Sequence, residues 1–191
     1  DLAKKLNYER SYARIFNTQA AIYTDMAEIP KALDLCLEGL KYAKKHNQQR
    51  SQVSLYNSLG NIYSKRKDNQ KSLYYYLQSV AVSKICQPDI LPVAPYGNIV
   101  GIYTGRKMLD SAMYYANLCL DYNLKHKNVD RLSNNYISLS EIYYELKDGE
   151  KCLKAAEDAV NASIAINDDY TLAHCYIQLS NAHYLNKNLK K

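Results

Sequence analysis

Glycine and proline are scarce in this 191-residue chain, at 6 and 4, so it holds few of the residues that punctuate long irregular loops. No Ser- or Pro-rich stretch reads as a linker between domains. No window of about 18 apolar residues occurs, which excludes a membrane-spanning helix and insertion into a bilayer. There is no glycine-rich phosphate loop, and no Ser or Cys stands in a recognisable nucleophile context. The 5 cysteines form no C-x-x-C pair and no Cys/His cluster with zinc spacing, so neither a metal nor another cofactor is expected. Their odd number points to unpaired thiols and a reducing, cytoplasmic compartment. A dense basic stripe is also missing. The net charge of +6 is spread out, and runs such as Lys44-Lys45 and Lys65-Arg66-Lys67 sit near predicted helix ends, where cations favour the negative pole of the helix dipole. Nucleic acid is therefore not an expected partner.

What the chain does have is a period of 40 residues. Phe16, Tyr56, Tyr96, Tyr136 and Tyr176 share one phase. Ile22, Ile62, Ile102, Ile142 and Ala182 share a second, and Tyr23, Tyr63, Tyr103, Tyr143 and His183 a third. A fixed period of this size means one supersecondary unit stacked on copies of itself. Within the unit, Tyr56, Leu59, Gly60, Ile62 and Tyr63 recur at helical steps. Lys67-Asp68-Asn69 then breaks the pattern, and Ser72, Leu73, Tyr76, Ser79 and Val80 form a second helical stripe. The predicted unit is thus a helix hairpin that cannot cover its own apolar face alone.

Small residues recur where helices would have to approach closely: Ala20, Gly60, Val100, Ser140 and Ser180 on first helices, Ala32, Ser72, Ala112 and Cys152 on second helices, and Gly39, Ser79, Cys119 and Ala159 one face further. Cys36, Cys119 and Cys152 occupy otherwise small or apolar phases, so they read as packing residues. Pro30 suits the first turn of a second helix. Pro92 and Pro95 fall near the start of the third unit's first helix, where Pro95 is a candidate kink.

The segment Tyr56-x2-Leu59-Gly60-x2-Tyr63, followed by Ser72 and Tyr76, resembles the tetratricopeptide repeat, with Tyr56 where that family most often has Trp. The other units fit more loosely: Gln19 stands in the usual Leu slot, and Val100 and Ser140 in the usual Gly slot. The period exceeds the family's usual 34 or so residues, implying helices about a turn longer. Such units are similar to those of bacterial sensory and regulatory arrays. The resemblance implies an all-α, right-handed superhelical array of antiparallel hairpins (an α-solenoid) of about ten helices in one domain over 1–191. The repeats would run about 8–47, 48–87, 88–127 and 128–167, with 168–191 as the first helix of a fifth. Residues 1–7 match 41–47 and are expected to be the tail of a preceding helix, so the chain reads as a piece of a longer array. A sensor role leaves a periplasmic location as the alternative to a cytoplasmic one.

In tetratricopeptide arrays the first helices line a concave groove. The resemblance places there Asn17, Ala21, Thr24 and Asp25 of unit one; Asn57, Asn61, Ser64 and Lys65 of unit two; Gly97, Gly101, Thr104 and Gly105 of unit three; Ile137, Glu141, Tyr144 and Glu145 of unit four; and Ile177, Asn181 and Tyr184 of unit five. Gly97, Gly101 and Gly105 recur every four residues, each less favourable in a helix than Ala by about 1 kcal/mol. Either they form a smooth stripe that a ligand backbone approaches, or this helix is simply weak or bent. Asn57 and Asn61 have the groups to hold an extended peptide. The basic residues with which relatives clamp a terminal carboxylate are not matched.

The functional expectation is a non-enzymatic scaffold that binds a protein or peptide, as the sensory or interaction segment of a larger bacterial signalling or transcription-regulating protein. The competing expectation is a spacer or homodimerisation module that uses exposed tyrosines such as Tyr74-Tyr75 and Tyr114-Tyr115, which otherwise read as amphipathic filler. An enzyme would need His174 or His183 beside Glu141 or Glu145.

Overall fold

A computed structural model describes residues 9–189. The expected helical tail over residues 1–7 lies outside the described residues. Among those described there are nine α-helices and no strand: α1 (Glu9–Asp25), α2 (Ile29–Lys45), α3 (Gln49–Lys65), α4 (Asn69–Cys86), α5 (Val93–Gly105), α6 (Leu109–Lys125), α7 (Leu132–Glu145), α8 (Gly149–Ala165) and α9 (Asp169–Leu189). A single 3-10 turn, Val129–Arg131, leads into α7. The fold is the all-α helical-repeat class that the 40-residue period implies.

The turns recur twice as often as the hairpins. Ala27, Asn47, Lys67, Lys107, Lys127, Lys147 and Asn167 all have positive φ, between 53° and 61°, at multiples of 20 residues. Six of these turns separate consecutive α-helices by three residues, and the one at Lys127 leads first into the 3-10 turn. At Arg66-Lys67-Asp68, the Lys67 N–H donates to Ser64 O at 2.8 Å and the Asp68 N–H to Tyr63 O at 3.0 Å, the two bonds of a Schellman motif. Asp68 then caps α4 by accepting from the Lys71 N–H at 3.0 Å. Asp148 and Asp168 cap α8 and α9 in the same way, at 3.1 and 3.0 Å. The series skips one step, at Gln87, where φ is −147° and the chain needs residues 87–92 to reach α5. Pro95 is the third residue of α5, in the first turn, where a missing N–H breaks no intrahelical bond; the expected kink is unnecessary.

The chain forms two compact units, residues 1–95 and 96–191. In the first, Ala13, Ala20, Ala32, Cys36, Leu55, Leu59 and Ile62 form a core at most 1% exposed. Two glycines set helix spacing there. A Cβ on Gly39 would sit 2.8 Å from Phe16 Cβ, and one on Gly60 would overlap the Tyr76 ring, 2.9 Å from its Cζ and nearer still to Cε1. Ser72 Oγ donates to Gly60 O at 2.9 Å. The equivalent pair in the second unit, Ser140 and Cys152, bonds in both directions: Ser140 Oγ donates to Cys152 O at 3.2 Å and Cys152 Sγ to Ser140 O at 3.4 Å. That unit buries Val100, Ala112, Ala116, Leu139 and Ile142 in one cluster, and Ile137, Ala159, Val160 and Cys175 in another. Burial pushes the Cys36 thiol up to about 12 and Cys119 to about 11, as expected for packing residues.

Two sequence expectations change. Tyr75 and Tyr115 are packing residues: Tyr75 stacks on Tyr56 and Tyr63 at 6.3 and 5.3 Å, and Tyr115 lies against Tyr96 and Tyr103 at 5.0 and 5.9 Å. Their neighbours Tyr74 and Tyr114 are the exposed ones, at 56% and 61%. Ile137, expected on the groove, is 4% exposed, because α9 brings Cys175 and Leu172 over it. Tyr176, by contrast, is 52% exposed where Phe16, Tyr56 and Tyr96 are buried, since among the described residues no second helix follows α9.

Candidate functional site

First helices carry the expected groove residues, and each unit holds some of them. In the first unit Asn17 and Asn57 are half-buried, while Asn61 and Ser64 are exposed. Two of these amides serve the scaffold. Asn17 Oδ1 accepts from Ser58 Oγ at 2.8 Å, and Asn61 Oδ1 accepts from Tyr76 Oη at 2.7 Å. The second bond locks the ring that fills the space over Gly60. That bond occupies the Asn61 Oδ1 acceptor that the sequence reading offered to a peptide. A shallow cleft of about 210 Å³ lies beside them, between α1 and α3, where Arg14 and Arg50 meet Asn17, Thr18 and Ser54.

The second unit gathers more. A cleft of about 330 Å³ lies between α5, α7 and α9, with Gly101, Thr104, Glu141, Tyr144 and Asn181 on its walls. Gly105, Glu145 and Gln178 complete it. Gly97 lies one turn before Gly101 on α5. A Cβ on Gly97, Gly101 or Gly105 would meet nothing within 4 Å, so close helix packing, the role of Gly39 and Gly60, does not account for these three. The helix is regular over Val93–Gly105.

Along the cleft, polar groups differ in how fully they are used. Thr104 is 9% exposed, and its hydroxyl donates to Val100 O at 3.0 Å. Glu145 at the rim forms an ion pair with Lys107. Glu141 Oε1 accepts from Gln178 Nε2 at 3.2 Å, with His174 Nε2 4.0 Å away. Burial raises the Glu141 carboxyl above its ordinary value of 4.5, and His174 opposes the rise. Glu141 Oε2, the Tyr144 hydroxyl and the Asn181 amide have no hydrogen-bond partner among the described residues. Lys147 lies over the Tyr144 ring at 5.0 Å.

Gln178 is not among the groove residues that the sequence suggests. A signal for it exists: Thr18, Ser58, Asn98, Ser138 and Gln178 share one phase, and all five are polar. His183 is remote from Glu141 and Glu145 in role; it lines a broad hollow of about 830 Å³ between α8 and α9, with exposed Lys154 and Glu157. Among the described residues no cluster of three or more His, Cys, Asp or Glu could hold a metal ion, and no helix is long and apolar enough to cross a membrane.

No protein-family model matches the chain, and no curated protein matches its sequence. Solved structures do match its fold. BtubC (BKLC) from P. vanneervenii superposes with a TM-score of 0.84 at 16% identity, over 98% of this chain and 80% of that one. A signal transduction ATPase with numerous domains and a tetratricopeptide repeat sensor, from Pyrococcus horikoshii, gives 0.77 at 18% identity, over 91% of this chain and 27% of that one. A MamA RS-1 double mutant gives 0.59 at 13% identity, over 93% and 96%. At these identities the likeness is one of fold, and the fold it supports is the helical repeat read from the sequence.

Proposed function

We propose that this chain is a non-enzymatic repeat scaffold that binds an extended segment of a protein or peptide, with the α5–α7–α9 cleft as the binding site. One observation carries the reading: three glycines on one face of α5, unfavourable in a helix and facing open space. Without Cβ atoms, α5 admits a ligand main chain to van der Waals distance of its own backbone. The unpartnered Tyr144 and Asn181 groups across the cleft supply hydrogen-bonding sites, and Asn181 offers both donors and an acceptor. Three packed helices hold these groups in place, so docking orders few side chains. The P. horikoshii neighbour carries a tetratricopeptide repeat sensor in a signal transduction protein, which supports a sensory segment of a larger signalling protein as this chain's setting.

The test is selection of short displayed peptides on the wild type, followed by affinity measurement on Gly101→Leu. Loss of binding with helicity and melting retained or raised supports the cleft. Binding that survives the substitution, or a parallel loss of fold, refutes it. A second reading, a dimerisation module, is favoured by Tyr74 on α4 and Tyr114 on α6, both exposed. Sedimentation separates the two: a tight dimer dissociated by Tyr74→Ser or Tyr114→Ser supports the second.

A further inference from the structure

Resting on that reading, we propose that the segment bound in the α5–α7–α9 cleft presents a basic side chain, lysine or arginine, to Glu141 while its main chain runs over Gly101 and Gly105. The two carboxylates of the cleft are not equivalent. Glu145 already has a cation, Lys107, so it closes the rim and needs no ligand charge. Glu141 has none of comparable standing. Its Oε1 accepts from the neutral amide of Gln178, Oε2 is unpartnered among the described residues, and the nearest basic group is an imidazole at 4.0 Å that carries charge only when protonated.

The side chain of Glu141 is 38% exposed, and its exposed part opens into the cleft. A partly desolvated carboxylate is poorly stabilised until a cation replaces the lost water, and a charge-assisted hydrogen bond is about twice as strong as a neutral one. The glycine stripe by itself has no preference for charge. Glu141 adds it, and it does so on the wall facing the stripe, where a side chain of an extended ligand would point. The overall charge of +6 opposes basic ligands at long range, so the preference is local and should persist near physiological salt, where the Debye length is about 8 Å.

Three blocked pentapeptides, acetyl-Gly-Ser-X-Ser-Gly-amide with X as Lys, norleucine or Glu, test this on the full chain. Amide NMR spectra follow the Gly101 and Gly105 resonances during titration. Lys is expected to bind about tenfold tighter than norleucine, and Glu weaker than both. Glu141→Gln should erase the Lys advantage, so that Lys and norleucine bind with equal affinity. A Lys advantage that survives Glu141→Gln, or equal binding of Lys and norleucine by the wild type, overturns the proposal while leaving a charge-blind peptide cleft standing. Failure of all three peptides to perturb Gly101 and Gly105 overturns the cleft itself, and this proposal with it.

Discussion

Two sets of glycines in this chain should respond oppositely to the same substitution. At Gly97 and Gly101 an added Cβ meets nothing within 4 Å, so alanine contributes only its helix propensity, about 1 kcal/mol at each site. The double variant Gly97→Ala/Gly101→Ala should gain about 2 kcal/mol, which raises Tm by roughly 4–8 °C for a chain of this size. At Gly60 the new Cβ would stand 2.9 Å from Tyr76 Cζ and closer still to Cδ1 and Cε1. That ring is 3% exposed and tethered through its hydroxyl to Asn61, so it has no free path aside. Overpacking of this kind costs about 3 kcal/mol at the upper end, and the propensity gain offsets about 1. A net loss near 2 kcal/mol is expected.

Thermal and urea unfolding followed by circular dichroism measures both. The same double variant should weaken peptide binding, since the methyl group at Gly101 would stand where the ligand main chain lies. Stability gained while binding is lost is the outcome expected of residues kept for function. If the double variant is neutral or destabilised, something fills the space beside α5, and the cleft as described is wrong. If Gly60→Ala is stabilised, the Tyr76 contact is wrong.

Other outcomes can be checked on the same footing. Ser133 Oγ is buried without a hydrogen-bond partner, and the repeat-equivalent residues Ala13, Val53, Val93 and Ala173 are all apolar; Ser133→Ala should therefore stabilise by about 1 kcal/mol in urea unfolding. Lys67 and Lys147 hold φ of 60° and 61°, so Lys67→Gly and Lys147→Gly should each gain about 0.5–1 kcal/mol, and Asn47→Gly less, because asparagine tolerates this conformation. Glu141 is raised above 4.5 by burial. The folded state then holds the proton more tightly than the unfolded one, so ionisation begins to oppose folding above the ordinary value of 4.5 and does so fully above the raised one. Glu141→Gln should be more stable than the wild type at pH 7, and the difference should vanish as pH falls below the ordinary carboxyl value of 4.5; an unchanged difference across that range would show that desolvation is not the cause.

The 40-residue phases determined the helices, because burial at helical spacing leaves a direct mark on composition. Phe16, Tyr56 and Tyr96, or Cys36 and Cys119, are readable as core without coordinates. Turn positions were half legible: Lys67-Asp68-Asn69 announces a break, but a lysine at positive φ announces nothing, since the Schellman bonds and the next cap impose that conformation. Small residues were the least legible. Gly39, Gly60, Gly97 and Gly101 look alike in a sequence, and only the neighbours decide which glycine makes room for a ring and which faces a void. The same holds for the polar residues. Asn61 and Asn181 occupy equivalent phases, yet Tyr76 claims the acceptor of one and leaves the other alone. Sequence sets the period and thus which side chains point inward. What each outward or interfacial group touches depends on residues 15 to 41 positions away along the chain, and tertiary packing alone brings those together.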